Sequence, residues 1–317
     1  MSDLPKKIHI LEAGPREGFQ IEPGPISTAD KVRFIEALAE TGLKEIECVS
    51  FVNPRRVPSM ADADEVAAQI TKLPGVDYTG IWLNLKGLER AVASGLHVRG
   101  RLSASASEPF SIKNAGLDLE GELARQREYV PRYLELGFSD CSLSIMTAFG
   151  CNYEGDTDPV HVVEVIRRSM ANVEAEGARI TRISLADTVG WATPIAIERG
   201  VGAVREAWPE VEVKLHLHDT RGTGIANAYA GLRLGVARFD SSCGGLGGCP
   251  FAGHKSAAGN ISTEDLIFMC HEMGIETGID LEALIECAKL AEEVVGHPVP
   301  GKVMHGGGLD KVRAQAA

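Results

Sequence analysis

The stretch LHLHDTRG, residues 215–222, places His216 and His218 two positions apart, with Asp219 directly after them. Residues i and i+2 of a β-strand share a face, so the two imidazoles point the same way. Such a pair at a strand end is a ready ligand set for a divalent ion. The alternative is that they are polar residues closing an ordinary strand. Leu215 and Leu217 suit a helix-packed outer face, so the histidines should point inward, which favours the metal site. Asp219 is predicted to orient the loop or a ligand.

The stretch EAGPREGFQ, residues 12–20, sets Arg16 beside Glu17 in a turn shaped by glycine and proline. A fixed guanidinium next to a carboxylate suits metal binding with support for a developing oxyanion, although a surface ion pair has the same pattern. Glu47 lies in the apolar run IECVSF, where an unpaired carboxylate is costly to bury. Arg16, at the adjacent strand end, is its predicted partner, in either a structural or a catalytic ion pair.

The stretch SSCGGLGGCPFAGHKSAAGN, residues 241–260, is rich in glycine and predicts a loop that can close over a site. Cys249 lies within it, as a thiol that could deliver or accept a proton; the alternative is an inert cysteine. Asn260 ends the stretch and could supply an oxygen ligand. The order of residues typical of a nucleotide phosphate loop is absent from the sequence.

These residues can form one site only in a fold that brings the ends of several strands close together. Eight β-rich segments alternate with segments of helical period, at 7–13, 45–51, 77–84, 98–106, 140–148, 180–187, 211–218 and 237–245. The pattern predicts a TIM (β/α)8 barrel, in which the chemistry lies where strands end. Helical segments at 262–274 and 280–296 predict a C-terminal helical extension. We expect one barrel domain over residues 1–296 and a glycine-rich, mobile tail over 297–317.

The 317 residues are 44% hydrophobic, which is ample for a large core, and carry a net charge of −12. That charge argues against nucleic acid or an anionic membrane as the main partner, and it requires a local basic pocket for any anionic substrate. The seven cysteines are scattered without a CxxC pair, so no disulfide framework is indicated. No signal peptide or membrane-spanning segment is recognisable, so a cytoplasmic enzyme is expected.

Seven motifs occur in the order found in the 3-hydroxy-3-methylglutaryl-CoA lyase family: GPREGFQ, IECVSF, NLKG, GCNYEG, SLADTVGWATP, HLHDTRG and GGLGGCPFA. The chain resembles this family, part of a group of metal-dependent lyases and synthases with a TIM barrel, from about residue 5 to residue 296. The resemblance implies a Mg²⁺ or Mn²⁺ ion and an acyl-CoA thioester substrate. Homo-oligomers are also expected by analogy with the family.

The resemblance implies roles for individual residues. The metal ligands would be Glu17, His216, His218 and Asn260. Arg16 would support the enolate and contact the substrate, and Cys249 would be the loop thiol. Gln20 would bind substrate, and Glu47 and Asp187 would occupy the remaining catalytic positions.

The implied reaction is a retro-Claisen cleavage of a tertiary 3-hydroxyacyl-CoA. The metal would lower the pKa of the tertiary hydroxyl, and loss of that proton would break the carbon–carbon bond. The enolate of acetyl-CoA would leave and be protonated through Cys249. From 3-hydroxy-3-methylglutaryl-CoA the products would be acetyl-CoA and acetoacetate.

The sequence departs from the family pattern in three ways. Glu17 replaces the usual aspartate and is one methylene longer. Ile21 and Pro23 stand where the family usually has asparagine and lysine, and the lost lysine removes a contact for an anionic substrate. The stretch between Cys249 and Asn260 is two residues longer and adds His254 and Lys255.

Other functions remain open on the sequence. A related lyase could cleave a citramalyl- or isohexenylglutaryl-type thioester, and a non-catalytic barrel could bind acyl-CoA. A condensing synthase is disfavoured because its regulatory domain does not fit this length. A hydrolase with an HxH pair is disfavoured because that pair usually lies at strand one.

Overall fold

The computed structural model describes residues 4–248 and 258–316. The strands within them are β1 (His9–Glu12), β2 (Glu45–Phe51), β3 (Asp77–Trp82), β4 (Gly100–Ser105), β5 (Asp140–Met146), β6 (Gly150–Cys151), β7 (Gly155–Asp156), β8 (Arg179–Ala186), β9 (Glu212–His216) and β10 (Arg238–Ser241). Each of the eight predicted strands is present. The antiparallel pair β6 and β7 was not predicted, because two-residue strands leave no periodic pattern.

The helices follow the strands as the alternating pattern predicts. They are α1 (Phe19–Ile21), α2 (Thr28–Glu40), α3 (Ala63–Gln69), α4 (Leu85–Ala93), α5 (Glu108–Ala115), α6 (Leu119–Glu135), α7 (Pro159–Ala175), α8 (Pro194–Ala207), α9 (Gly224–Arg233), α10 (Thr263–Glu272), α11 (Leu281–Val295), α12 (Val303–Gly306) and α13 (Asp310–Ala316). Short helical turns cover Gly14–Gly18, Pro58–Met60 and Cys243–Gly245. None of the described helices is long and apolar enough to cross a membrane.

Side-chain caps explain where several helices begin. The Ser27 hydroxyl accepts a hydrogen bond from the Asp30 N–H at the start of α2, and Ser262 caps α10 in the same way. Asp280 caps α11, which ends at Gly296 in the left-handed conformation. The helices α10 and α11 form the predicted C-terminal extension.

The chain forms two compact units, and one of the points where the chain passes from one unit to the other falls within β10, after Phe239. The terminal unit contains Lys6–His97, Asp240–Gly248 and the residues from Ala258 onward. Its strands β3, β2 and β1 are neighbours in a parallel arrangement, with Leu11 opposite Glu45. The Ala13 N–H donates to the Ser241 carbonyl at 2.9 Å, which places the end of β1 beside the end of β10.

The central unit is built mainly from Val98–Phe239. Its strands run parallel in the order β9, β8, β5, β4. One face is apolar and packs on helices: ideal Cβ atoms on Gly200 of α8 and Gly231 of α9 would lie 3.8 Å and 2.5 Å from Leu185 and Leu215 Cδ1, respectively. The opposite face is polar and carries the histidine pair.

The segment predicted as a glycine-rich tail contains α12 and α13. The N–H groups of Lys302 and Val303 donate to the Asp265 carboxylate, and Val299 and Met304 are buried. The domain boundary at residue 296 stays a prediction.

Candidate functional site

The loop after β1 is held in place by the buried carboxylate of Glu12. Its Oε1 accepts hydrogen bonds from the N–H groups of Gly14 at 2.8 Å and Cys243 at 2.9 Å. Its Oε2 accepts one from the Thr263 hydroxyl at 2.6 Å. A Cβ at residue 14 would lie 2.6 Å from Glu12 Oε1, so this close approach requires glycine. The start of the turn that presents Arg16 and Glu17 is therefore held in one position.

Arg16 lies between two carboxylates. Its Nε and Nη2 both lie 2.5 Å from Glu47 Oε1, and its Nη2 lies 3.0 Å from Glu17 Oε2. Glu47 is completely buried, as the sequence predicted for a carboxylate with an arginine partner. Burial lowers the pKa of Arg16, but the charges of Glu47 and then Glu17 outweigh it and raise that pKa overall. The guanidinium is therefore a permanent, oriented cation.

Two amide side chains belong to the same unit. The Ser50 hydroxyl donates to Gln20 Oε1 at 2.7 Å, which orients the predicted substrate-binding amide. Asn260 is 1% exposed, and its Nδ2 donates to the Leu246 carbonyl at 3.3 Å. Its Oδ1 has no hydrogen-bond partner among residues 4–248 and 258–316. A buried oxygen without a hydrogen-bond partner is well placed to bind a ligand from outside the protein.

Gly247 separates Asn260 from Glu17. An ideal Cβ on Gly247 would lie 2.6 Å from Asn260 Nδ2 and 3.2 Å from Glu17 Cγ. The backbone at Gly247 also has a φ of +93°, which favours glycine. The terminal unit thus brings two of the four predicted ligands, Glu17 and Asn260, to either side of one glycine.

The central unit brings together the other two predicted ligands. His216 ends β9 and His218 follows it, with their Nε2 atoms 3.2 Å apart. Their ring centroids are 5.1 Å apart with an interplanar angle of 56°. Leu215 faces the helices, so the histidines project from the opposite face, as the sequence predicted. Asp219 accepts a hydrogen bond from the Gly224 N–H at 2.7 Å, consistent with its predicted role in orienting the loop.

Asp187 is packed beside the histidine pair. Its N–H donates to the His216 carbonyl at 2.8 Å, and its Oδ1 accepts from the N–H groups of Trp191 at 2.6 Å and Ala192 at 3.0 Å. Burial raises the pKa of Asp187. This rise is opposed by the charge of His218, by the hydrogen bonds from the Ala192 and Trp191 N–H groups, and by the charge of His216. Its Oδ2 is buried without a hydrogen-bond partner in the described part of the chain.

Cys249, His254 and Lys255 lie outside the described residues. The buried acids that the sequence reasoning missed include Glu12 and Glu264. Burial raises the pKa of each to about 7. The burial of Glu12 was predictable from the sequence, because Glu12 interrupts an apolar strand as Glu47 does. Glu264 was hidden because it resembles an acidic residue in the first turn of a capped helix.

Comparisons with known proteins give the family. The model of the HMGL-like family matches residues 7–291. The chain is 39% identical over 302 residues to hydroxymethylglutaryl-CoA lyase YngG of Bacillus subtilis, covering 94% of this chain and 96% of that protein. It is 40% identical over 303 residues to the 3-hydroxy-3-isohexenylglutaryl-CoA/hydroxymethylglutaryl-CoA lyase of Pseudomonas aeruginosa, covering 93% and 95%.

A solved structure of hydroxymethylglutaryl-CoA lyase from Pseudomonas aeruginosa superposes with a TM-score of 0.87 at 37% identity, covering 99% of this chain and 100% of that one. A lyase from Acinetobacter baumannii, in complex with coenzyme A and 3-methylmalate, superposes with a TM-score of 0.86 at 36% identity, covering 96% of each chain. The predicted TIM-barrel fold with a C-terminal helical extension is confirmed. The chain belongs to the HMGL-like family.

Proposed function

We propose that this protein is a divalent-metal-dependent acyl-CoA lyase that cleaves 3-hydroxy-3-methylglutaryl-CoA into acetyl-CoA and acetoacetate. The prediction of a carbon–carbon lyase is confirmed by its family and by relatives named hydroxymethylglutaryl-CoA lyase. The observation that carries the metal dependence is the 3.2 Å separation of the His216 and His218 Nε2 atoms.

The donor set fits a divalent cation. Two nitrogens at about 2.1 Å from one octahedral ion, on neighbouring positions, lie about 3.0 Å apart, close to the separation in the histidine pair. Glu17 offers a carboxylate oxygen and the histidines offer imidazole nitrogens. Asn260 Oδ1, which is buried and has no hydrogen-bond partner among the described residues, would supply a further oxygen. We propose that these four residues bind Mg²⁺ or Mn²⁺, both of which accept oxygen-rich ligation.

When bound, the cation supplies Lewis-acid polarisation of the substrate's tertiary hydroxyl and an acyl oxygen. Asp187 accepts the hydroxyl proton at Oδ2, because burial raises its pKa and brings it nearer to that of the activated hydroxyl. The electrons of the broken carbon–carbon bond pass to the acetyl-CoA carbon, and Arg16 stabilises the resulting enolate. Cys249 then delivers its thiol proton to that carbon.

The remaining site residues orient these groups. Glu47 holds the Arg16 guanidinium through two contacts to one oxygen. Ser50 fixes Gln20, which we propose contacts the substrate. The His216 carbonyl accepts the Asp187 N–H, so the base and the metal ligands share one strand-end scaffold.

Cleavage of an isohexenylglutaryl-type thioester is the second candidate, because one relative is named for both activities. Rates with hydroxymethylglutaryl-, isohexenylglutaryl- and citramalyl-CoA would rank these substrates. The expectations of a homo-oligomer, a cytoplasmic location, and no nucleic-acid or membrane partner stay predictions.

A coupled assay of acetyl-CoA release tests the proposal. Exhaustive chelation should abolish the cleavage of 3-hydroxy-3-methylglutaryl-CoA, and adding Mg²⁺ or Mn²⁺ should restore it. Full-rate cleavage by the metal-free protein would contradict the metal's role. Acyl-CoA binding without turnover by the metal-loaded protein would instead identify a non-catalytic barrel.

A further inference from the structure

Thr147 directly follows β5 and has a backbone conformation that is rare for its residue type. Its φ is +53°, and every other residue with a positive φ in the described part of the chain is a glycine. In this left-handed region Cβ lies too close to the following carbonyl oxygen, and a β-branched side chain is especially disfavoured. Thr147 is also completely buried. Such strain persists only where the surrounding contacts hold the residue in place, and it is concentrated at functional sites.

Hydrogen bonds hold Thr147 from several sides. Its N–H donates to the hydroxyl oxygen of Thr188 at 2.8 Å, and its carbonyl accepts from the hydroxyl of Thr157 at 2.9 Å. Its own hydroxyl oxygen lies 3.1 Å from the hydroxyl oxygen of Ser105, at the end of β4. The strained residue is therefore joined to the end of β4, to the segment before α7 and to the turn after β8.

The contact with Thr188 leads directly to Asp187. Thr188 is the next residue in the chain, and it begins the turn that follows β8. On the other side of Asp187, the Ala186 carbonyl accepts a hydrogen bond from the Ala148 N–H at 3.1 Å. Both chain neighbours of Asp187 are thus bonded to the two residues that follow β5. The position of the Asp187 backbone is therefore set by the conformation of Thr147.

The Asp187 carboxylate depends on that backbone position. Its Oδ1 accepts from the N–H groups of Trp191 and Ala192, which lie just beyond the turn that Thr188 begins. Its Oδ2 has no hydrogen-bond partner within residues 4–248 and 258–316, and it is the oxygen proposed to accept the substrate's proton. The direction of Oδ2 is consequently fixed by Oδ1 and by the backbone. A displacement of about 1 Å is enough to slow a reaction that needs this alignment.

We propose that Thr147 is a positioning residue for Asp187. Its left-handed backbone aims an N–H at the Thr188 hydroxyl, and this contact fixes the end of β8 on which Asp187 lies. The inference rests on the proposed function, in which Asp187 accepts the proton of the tertiary hydroxyl. Glycine would adopt the same φ without strain, but it would lose the contact with Ser105 and gain backbone freedom.

Two activities separate positioning of Asp187 from general damage to the site. Cleavage of 3-hydroxy-3-methylglutaryl-CoA needs Asp187. Exchange of the acetyl-CoA methyl protons in deuterated water reverses only the last step: the Cys249 thiolate removes a proton, and a deuteron returns to the same carbon. Thr188→Val keeps the shape of the side chain and removes the acceptor for the Thr147 N–H. It should lower kcat for cleavage about tenfold and leave KM and the methyl exchange within about twofold.

Two further variants trace the effect to Thr147. Thr188→Ser restores the acceptor and should bring kcat back to within about threefold of the wild type. Thr157→Val removes the hydroxyl that holds the Thr147 carbonyl, and it should lower kcat about threefold with methyl exchange unchanged. Thr181→Val, at an exposed position of β8, is the matched control and should cleave at the wild-type rate. Thermal unfolding and metal content of each variant would show that the fold and the ion are intact.

Amide hydrogen exchange tests the positioning without turnover. The N–H groups of Trp191 and Ala192 should exchange about tenfold faster in Thr188→Val than in the wild type, and Thr188→Ser should reverse most of the change. This measurement is independent of the reaction. A wild-type protein that releases no acetyl-CoA would contradict the proposed function, whereas the exchange of these two amides would still support or overturn the role of Thr147.

Wild-type cleavage by Thr188→Val would overturn the proposal. A parallel loss of cleavage and methyl exchange would overturn it as well, because it would show damage to the whole site. So would a loss that Thr188→Ser does not restore, or amide exchange at Trp191 and Ala192 that is the same in all variants. Should Thr188→Val fail to fold, the cleavage and exchange rates of Thr157→Val decide by the same criteria.

Discussion

Glu47 Oε1 lies 2.5 Å from both Nε and Nη2 of Arg16, so one buried carboxylate oxygen fixes the guanidinium from two directions. An arginine that serves an oxyanion must be positioned before the charge develops, because reorganisation during the reaction would raise the barrier. Glu47 meets that requirement without facing solvent.

Glu47→Gln keeps the shape of the side chain and removes its charge. We expect turnover to fall about a hundredfold, because Arg16 loses its orienting charge. The free energy of unfolding should fall by about 3 kcal/mol, since a buried cation loses its counterion. Glu293→Gln, in the exposed pair with Arg33, is the control and should change neither. Unaltered turnover in Glu47→Gln would show that Glu47 is only structural.

His216→Ala should lose the metal and the activity together, because one of two adjacent nitrogens is removed. Metal content by mass spectrometry and acetyl-CoA release measure the two losses in one preparation. His161→Ala, on the exposed surface of α7, should retain both. A His216→Ala protein with full metal content would exclude His216 from the ligand set.

Cys249→Ala should leave the metal bound and reduce turnover by about a hundredfold or more, because a thiol acting in proton transfer is removed. Cys270→Ala, a buried cysteine in α10, is the matched control. The informative comparison is the ratio of turnover to metal occupancy. Loss of metal in Cys249→Ala would assign this thiol to the metal site instead.

Glu12 gives the fold a pH dependence. Burial raises its pKa from 4.5 to about 7, against the hydrogen bonds from Thr263, Cys243 and Gly14. The folded protein therefore holds a proton that the unfolded chain has lost between these pH values, and the free energy of unfolding falls as the pH rises through that window. The shift corresponds to about 3 kcal/mol.

Glu12→Gln cannot ionise and should remove this contribution. The free energy of unfolding of Glu12→Gln, minus that of the wild type, should rise by about 3 kcal/mol between pH 4.5 and pH 8. Any constant loss from altered hydrogen bonds cancels in this comparison across pH. Denaturant unfolding at several pH values measures it, and parallel stability curves for the two proteins would refute the raised pKa.

The sequence predicted those parts of the site that depend on local pattern. The HxH spacing alone places His216 and His218 on one face, and a carboxylate in an apolar strand alone predicts a partner for Glu47. The register between the strands of the central unit was not predictable in this way. A shift between Cys141 and Ser142 sets which β8 residues face β5. A single sequence does not encode that register in any short window.

Gly247 has a consequence for engineering the proposed metal site. Any side chain at residue 247 would push against Asn260 and Glu17 at once. The gap between these two side chains is therefore set by bare backbone, and enlarging residue 247 would widen it in an uncontrolled way. If the proposed site binds a cation, retuning it for a smaller or larger ion has to proceed through the length of the acid at residue 17.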